Sequence, residues 1–276
     1  METSTEPVLY AVAEGVATLT LNNPERKNAW NLAMEQRYFE LLDEAAASPA
    51  VRAIVVTGAG SSFCPGMDMT ALAGTAEAGE LVREGRRPMH SAMAVPKPMI
   101  AAINGACAGI GLIQAVYCDV RFAARGARMS TSFTRRGLGA EYGMSWMIPR
   151  LVGVERALDL LLSGRVFDAE EAHAIGLVSR LCEPGDVLAE AQAYACELAR
   201  YSSPRGMAAV RHQVYADLGD DFDRSWARAL RIMHRMAGEP DFGEGIASFT
   251  EKRDPRFEAL PAGFADWLVL GPGDGP

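Results

Sequence analysis

Residues 99–119 have the sequence MIAAINGACAGIGLIQAVYCD, and this stretch decides how the chain folds. It begins with an uninterrupted apolar run, Met99–Ile103, which predicts a strand buried on both faces, because a half-solvated strand alternates apolar and polar residues. Asn104 and Gly105 end the strand, and the residues that follow predict an apolar helix reaching Tyr117. A strand that stops at glycines and continues as a helix directs backbone N–H groups into a crevice at the positive end of the helix dipole. Such a place suits a carbonyl oxygen that becomes negative during a reaction.

The same glycines also have a purely structural interpretation, in which they only permit tight packing of the turn. A dinucleotide site is disfavoured, because the spacing is G-x-x-x-G-x-G rather than G-x-G-x-x-G. In addition, no acidic residue ends a following strand at the expected distance of about 20 residues.

Composition narrows the class of protein. The chain has 276 residues, of which 49% are hydrophobic and 22% charged, and its formal net charge is −8. The acidic balance argues against nucleic acid or an anionic membrane as the main partner. The sequence has neither an apolar run of transmembrane length nor the features of a signal peptide, so we expect a cytoplasmic protein. The odd cysteine count without a C-x-x-C pair, and the scattered histidines, predict reduced cysteines and no metal site.

Strand and helix patterns alternate through the earlier part of the chain, and helices fill the last part, which predicts an α/β core with a helical C-terminal region. We place the boundary between residues 1–200 and 201–276. Thr70–Arg87, rich in Ala, Gly and Glu, is predicted to be a mobile, loosely helical segment that covers a site.

Several separated motifs resemble those of the crotonase superfamily, also called the enoyl-CoA hydratase/isomerase family. SFCPGMDM at 62–69 is similar to its F-C-A-G-x-D-[ILM] loop, and INGACAGIG at 103–111 with Cys118-Asp119 to its V-N-G-x-A-x-G-G-G and C-D. LNNP at 21–24 with Asn28-Ala29 resembles L-N-R-P…N-A. The later family motifs have counterparts in SGR at 163–165, AEEA at 169–172, GLV at 176–178 and FTEKR at 249–253. The resemblance covers nearly the whole chain in consistent order.

The resemblance implies a spiral of ββα turns and a helical C-terminal oligomerisation region that makes a homotrimer or a dimer of trimers. It implies an acyl-CoA thioester as substrate and no cofactor, since coenzyme A is part of the substrate. The family's two thioester-oxygen donors are backbone N–H groups, which correspond by position to Met67 and Ile110. One lost donor of this kind costs about 3–4 kcal/mol of transition-state stabilisation.

The resemblance also suggests substrate contacts, which for the cations would be made to the phosphates of coenzyme A. In the family, a lysine at the position of Lys252 reaches the ligand from a neighbouring subunit. For Asp68, a carboxylate that ties down its own loop is an equally good interpretation. The candidate substrate-binding residues are Arg26, Lys27, Ala29, Gly66, Asp68, Met69, Gly109, Phe133 and Lys252.

The reaction depends on carboxylates. The family's hydratases use two glutamates, one to activate water and one to protonate carbon, and the corresponding positions hold Ile113 and Phe133. Glu141, in GAEYG, resembles the single catalytic glutamate of some enoyl-CoA isomerases, which moves a proton from C2 to C4. The sequence therefore favours double-bond isomerisation with Glu141 as acid and base, and hydration is an alternative.

Two further alternatives stay open. The family's 4-chlorobenzoyl-CoA dehalogenases use an aspartate near the position of Glu141 and a histidine that aligns with His90, with a tryptophan where Phe133 stands. Both residues also have a structural interpretation. Glu141 would be an exposed carboxylate that the dipole of a nearby helix N-terminus favours, and His90 would be a surface residue at a helix end. A non-catalytic acyl-CoA-binding protein is the last alternative. A serine hydrolase is disfavoured because no G-x-S-x-G elbow is present.

Overall fold

The computed structural model of the protein describes residues 6–69, 87–264 and 268. In chain order the strands are β1 (Val8–Ala13), β2 (Val16–Leu21), β3 (Ala53–Gly58), β4 (Ser62–Cys64), β5 (Met99–Ile103), β6 (Ala106–Ala108), β7 (Val120–Ala124), β8 (Arg128–Ser130), β9 (Val166–Asp168) and β10 (Arg180–Cys182). The α-helices are α1 (Leu32–Ala47), α2 (Ile110–Tyr117), α3 (Met144–Val152), α4 (Val154–Ser163), α5 (Ala169–Ala174), α6 (Val187–Tyr201), α7 (Pro204–Asp217), α8 (Phe222–Met236) and α9 (Pro240–Glu251). Short 3-10 helices span Pro24–Arg26, Met89–Ala94 and Thr134–Arg136.

The strands form two sheets. The larger has the order β1-β2-β3-β5-β7-β10, antiparallel between β1 and β2 and parallel elsewhere, and the smaller has the order β4-β6-β8-β9. The chain repeatedly places one strand in the larger sheet and the next in the smaller one, as in β3–β4, β5–β6 and β7–β8. This repetition, with helix α2 after β6, is the predicted spiral of ββα turns.

β5 has the burial that its sequence predicts. Ile100 and Ala102 pack with α6 on one side of the larger sheet, whereas Met99, Ala101 and Ile103 belong to the main core on the other side. All five are fully buried, so the apolar run has no solvent face. The predicted helix is α2, and the structure adds strand β6 in the small-residue run before it.

The C-terminal part is helical, as predicted. A separate small core joins α7 and α8 to the end of the chain through Ala208, Ala209, Ile232, Phe264 and Leu268. The predicted boundary at residue 200 falls at the end of α6, which packs on the larger sheet; the division itself stays a prediction. Among the described residues, no helix is long and apolar enough to span a bilayer.

The predicted covering segment Thr70–Arg87 lies outside the described residues, except for its last member. The Arg87 guanidinium pairs with Asp43 on α1, with Nη1 2.6 Å from Oδ2.

Candidate active site

The first predicted donor, the N–H of Met67, lies in a loop held by Trp30. The N–H of Trp30 donates to Gly66 O at 2.8 Å, and the N–H of Asp68 donates to Trp30 O at 2.8 Å. Hydrogen-bonding groups alternate sides along an extended chain, so the N–H of Met67 points away from Trp30. This strand-like pairing fixes the direction of that N–H by the backbone alone.

The second predicted donor, the N–H of Ile110, is at the first residue of α2. The four N–H groups at the start of a helix have no partner within the helix and lie at the positive end of its dipole. Gly109, with φ +50° and ψ −121°, makes the turn into α2, and its own N–H donates to Ser130 O at 3.1 Å. Within residues 6–69 and 87–264, the N–H groups of Met67 and Ile110 have no backbone acceptor.

The two loops lie against each other. A Cβ atom on Gly109 would be 3.8 Å from the Cα atom of Gly66, and one on Gly66 would be 3.5 Å from Ala108 O. Met67 and Ile110 are the residues that follow these two glycines, so the structure brings the predicted donor pair together. Their use as oxyanion donors stays a prediction.

Other glycines of this stretch are required for packing. A Cβ atom on Gly105 would lie 2.0 Å from Ser61 O, and one on Gly111 would lie 2.1 Å from Cys64 O. Real Cβ atoms do not approach a backbone oxygen so closely, so the β4 loop contacts the bare backbone of β6 and α2. The structural interpretation of the small-residue run is therefore correct at these two positions, while Gly109 serves the turn.

Two asparagines, Asn28 and the half-buried Asn104, hold the surrounding chain. Asn28, fully buried, donates from Nδ2 to Ala59 O at 2.9 Å and to Ser62 O at 2.7 Å. Asn104 donates from Nδ2 to Gly58 O at 2.8 Å and accepts from the N–H of Gly58 at 3.3 Å. These side chains donate to carbonyls from the end of β3 to the start of β4, and so hold the connection between the two sheets.

Glu141 occupies the first position of a tight turn that leads into α3. Its carbonyl accepts from the N–H of Met144 at 2.9 Å, and the two residues between, Tyr142 and Gly143, have φ of +45° and +73°. The Tyr117 hydroxyl donates to Tyr142 O, which ties the turn to the end of α2. Glu141 is half-buried, and this desolvation raises the pKa of its carboxyl above the ordinary range. A carboxylate with a raised pKa is well suited to accept and return a proton.

The sequence model of the family described as Enoyl-CoA hydratase/isomerase matches residues 11–260. The chain belongs to the enoyl-CoA hydratase/isomerase family.

Individual relatives agree with this membership. The chain is 37% identical over 254 residues to a "Probable enoyl-CoA hydratase" of Rhodobacter capsulatus, which covers 91% of the chain and 97% of the relative. It is 32% identical over 259 residues to the "1,2-epoxyphenylacetyl-CoA isomerase" of Escherichia coli, covering 91% and 98%. The crystal structure of a probable enoyl-CoA hydratase/isomerase from Mycobacterium abscessus superposes with a TM-score of 0.85 at 30% identity, covering 92% of the chain and 99% of that structure.

The positions that correspond to the glutamates of the family's hydratases are apolar and inaccessible. Ile113 is fully buried within α2, and Phe133 is 2% exposed at the start of the turn before Thr134. Both belong to the main core, so neither position supplies an acid or a base.

The predicted ligand contacts around the loop of Met67 differ in exposure. Asp68 is buried and pairs with Arg26, with Nη1 3.2 Å from Oδ2, so its carboxylate holds a side chain from the 3-10 helix Pro24–Arg26; both interpretations of Asp68 stay predictions. The ion pair anchors the Arg26 guanidinium beside Met67. Because the Arg26 side chain is 53% exposed, it is still open to a ligand. Lys27 and Met69 are exposed, and Ala29 is half-buried.

His90 and Lys252 lie outside this group. His90 is exposed on the 3-10 helix Met89–Ala94, which packs against α2 through Gln114 Nε2 and Met89 Sδ at 3.5 Å. Among the described residues, no hydrogen bond or ion pair joins His90 to Glu141. Lys252 is exposed in a left-handed conformation at the end of α9. Any role for these two residues stays a prediction.

Sequence reasoning missed Trp30 and Tyr117, which position the first donor and the turn of Glu141. Tyr117 had a signal: it lies seven residues after Ile110, and residues two helical turns apart share a face. Trp30 had none, because it holds the Met67 loop through its backbone N–H and carbonyl, which do not depend on the side chain.

Proposed function

We propose that the protein isomerises the C=C bond of an enoyl-CoA thioester. The Glu141 carboxylate removes a proton from C2 of a 3-enoyl-CoA, and the electron pair moves onto the thioester oxygen to give a dienolate. The N–H groups of Met67 and Ile110 donate to that oxygen, where the negative charge develops. Glu141 then returns the proton to C4, which leaves the 2-enoyl-CoA.

A single observation carries the proposal: Glu141 is half-buried with a raised pKa, and its turn is bonded to the helix that begins with the donor Ile110. Isomerisation needs one group that gives back the proton it takes. Hydration needs an acid and a base, and the two positions that supply them in the family's hydratases hold buried Ile113 and Phe133.

The proposed reaction needs no metal or redox cofactor, because substrate and product have the same atoms and the same oxidation state. The relatives' names support both hydratase and isomerase chemistry, and the Escherichia coli relative is named an isomerase of an acyl-CoA. A dehalogenase-like hydrolysis with Glu141 and His90 is less favoured, because His90 is exposed and, in the part of the chain that the structure describes, no hydrogen bond or ion pair joins it to Glu141.

The test is mass spectrometry of the purified protein with 3-enoyl-, 2-enoyl- and 4-halobenzoyl-CoA in water enriched in ¹⁸O and deuterium. We expect conversion of 3-enoyl- to 2-enoyl-CoA without ¹⁸O uptake. An ¹⁸O-labelled 3-hydroxyacyl-CoA would establish hydration instead, and halide release would establish the hydrolytic alternative. Binding without any product would overturn catalysis altogether. The 1,2-epoxyphenylacetyl-CoA ester belongs in the same screen as a second isomerisation substrate.

We also propose that the protein forms homotrimers or dimers of trimers. The helix α8 exposes a continuous apolar stripe, with Phe222 77% and Trp226 58% exposed, followed by Leu230 and Met233. Phe249, three residues before Lys252, is 87% exposed. A stripe of this size on a globular protein marks an interaction surface, and a second copy of the chain is the occupant that the family suggests.

Light scattering after size exclusion tests the assembly. We expect a mass of three or six chains for the wild type and a smaller one for Trp226→Lys. A monomeric wild type would contradict this proposal and leave the proposed reaction untouched.

A further inference from the structure

Tyr117 is a core residue whose ring packs as a phenylalanine would, and its hydroxyl adds one hydrogen bond. The residue ends α2, is 2% exposed and belongs to the main core, and its hydroxyl donates to Tyr142 O. Burial raises the pKa of Tyr117 to about 12, so the hydroxyl stays protonated and remains a donor throughout the range of an enzyme assay.

The acceptor carbonyl belongs to the central peptide of the turn that carries Glu141. Tyr142 and Gly143 both have positive φ, +45° and +73°, and the N–H of Met144 closes the turn onto Glu141 O at 2.9 Å. These are the features of a type I′ turn, in which a non-glycine residue such as Tyr142 is disfavoured. The turn therefore needs an interaction from outside to hold it.

The hydrogen bond from Tyr117 supplies that interaction. A type II′ turn also has positive φ at its first central residue, but its central peptide is rotated, so that the second residue has negative φ. Rotation of this peptide would carry Tyr142 O away from the Tyr117 hydroxyl. The bond thus selects one form of the turn and fixes its position against α2.

The same helix begins with the proposed oxyanion donor. Ile110 and Tyr117 are the first and last residues of α2, and at 1.5 Å per residue they lie about 10 Å apart along its axis. One short, fully buried helix therefore joins the N–H that faces the thioester oxygen to the turn that carries the carboxylate.

We infer that Tyr117 is a positioning residue that sets the distance between the Glu141 carboxylate and the oxyanion donors. The inference rests on the proposed function, since it gives Tyr117 a role only if Glu141 transfers the proton. Reacting atoms need an approach of roughly 3–3.5 Å, and a displacement of about 1 Å lowers a rate by up to about 100-fold.

The deciding variant is Tyr117→Phe, which removes the hydroxyl and keeps the ring. With 3-enoyl-CoA we expect kcat to fall about tenfold or more and KM to change less than about twofold, because substrate binding is retained. We also expect the acidic limb of the profile of kcat against pH to move to lower pH. A loosened turn exposes Glu141 to water, and the pKa of its carboxyl then falls toward the ordinary value.

Two other tyrosines provide matched controls. The Tyr38 hydroxyl is buried and has no hydrogen-bond partner within the part of the chain that the structure describes, so Tyr38→Phe should leave kcat and the acidic limb unchanged. The Tyr215 hydroxyl donates to Asp119 Oδ1 at 2.7 Å, so Tyr215→Phe should lower thermal stability but leave the acidic limb in place.

Gly143→Ala is a second variant that loads the same turn without touching Tyr117. Gly143 is exposed, and a Cβ atom there meets nothing within 4 Å, so only its left-handed backbone conformation opposes alanine. We expect the same fall in kcat and the same shift of the acidic limb. This variant decides the question if Tyr117→Phe fails to fold.

The outcomes separate the two ideas. Turnover retained in Glu141→Gln would overturn the proposed function. If Glu141→Gln is inactive while Tyr117→Phe keeps the wild-type kcat and pH profile, the proposed function stands and the role of Tyr117 is overturned; Gly143→Ala replaces Tyr117→Phe in this comparison if the latter does not fold.

Discussion

Arg211 and Asp119, 92 residues apart in sequence, form a partly buried ion pair in which Arg211 Nε lies 2.9 Å from both carboxylate oxygens. The Arg211 side chain is 7% exposed and that of Asp119 is 21% exposed. Asp119 Oδ2 also accepts from the N–H of Met99 at 2.7 Å, and Arg211 Nη1 donates to Met93 O and Val95 O, each at 2.5 Å. The pair therefore joins helix α7 of the C-terminal region to β5 and to the segment that carries His90.

Arg211→Met should destabilise the protein by about 3 kcal/mol. The substitution keeps an unbranched side chain of similar length but leaves Asp119 without its cation and two carbonyls without a donor. The free energy of unfolding in urea measures the effect, and a loss below about 1 kcal/mol would contradict the role assigned to this pair.

The exposed pair of Arg200 and Asp254 is the matched control. Its side chains are 65% and 54% exposed, with Arg200 Nη2 2.6 Å from Asp254 Oδ2. Water and salt screen such a pair, so Arg200→Met should leave the unfolding free energy nearly unchanged.

Sequence alone could associate Asp119 with a family motif but could not predict which groups it binds. The burial of strand β5 on both faces was predictable from the apolar run at Met99–Ile103, because that inference depends only on neighbouring residues. The partners of Asp119 depend on how distant helices pack, and nothing in the local pattern around Arg211 distinguishes it from a surface cation. The fold was therefore predictable to the level of elements and their order, whereas the bonds between them were not.

Glu141→Gln should abolish turnover and leave the fold intact. General acid–base catalysis contributes about 100- to 10,000-fold, and glutamine neither accepts nor returns a proton. Single-turnover conversion of 3-enoyl-CoA measures the loss, with circular dichroism to verify the fold. Activity within about tenfold of the wild type would exclude Glu141 as the base.

The same carboxyl makes a prediction about pH. Burial raises its pKa above the ordinary value for glutamate, and the base must be ionised, so kcat should fall with decreasing pH at a higher pH than an exposed glutamate would give. A carboxyl whose pKa is raised by folding stabilises the folded state when it is protonated and opposes folding when it is ionised. The stability it contributes is therefore lost as pH rises through the folded pKa. Glu141→Gln should therefore be at least as stable as the wild type at pH 7, and thermal unfolding at pH 4 and pH 7 measures the difference.

The glycines show a second limit of sequence reasoning. Turn formation and close packing favour the same residue, so the pattern in residues 105–111 could not separate them. The structure separates them by distance. A side chain on Gly109 would find space and would be opposed only by the positive φ of the backbone, whereas a side chain on Gly111 would collide with Cys64 O.

Gly111→Ala should destabilise the protein by about 3 kcal/mol, because a methyl group 2.1 Å from Cys64 O forces the β4 loop away from α2. Gly219→Ala is the control, since a Cβ atom there meets nothing within 4 Å. Chemical unfolding of both variants measures the contrast, and equal stabilities would show that the loop yields without cost.

Arg26→Met should raise KM for acyl-CoA esters about tenfold and leave kcat nearly unchanged. The guanidinium is 53% exposed and anchored by buried Asp68, beside the loop of Met67. A charge-assisted hydrogen bond to a phosphate of coenzyme A at such a site is worth about 1.5 kcal/mol, which corresponds to the tenfold change.

The matching acyl-pantetheine thioester keeps the reacting atoms but lacks the nucleotide phosphates. Wild type and Arg26→Met should therefore have the same KM for it. Arg125→Met, which removes a cation of similar exposure that pairs with Glu183, should change KM for neither substrate. An equal rise in KM for both thioesters would mean that Arg26 shapes the loop of Met67 and does not bind phosphate.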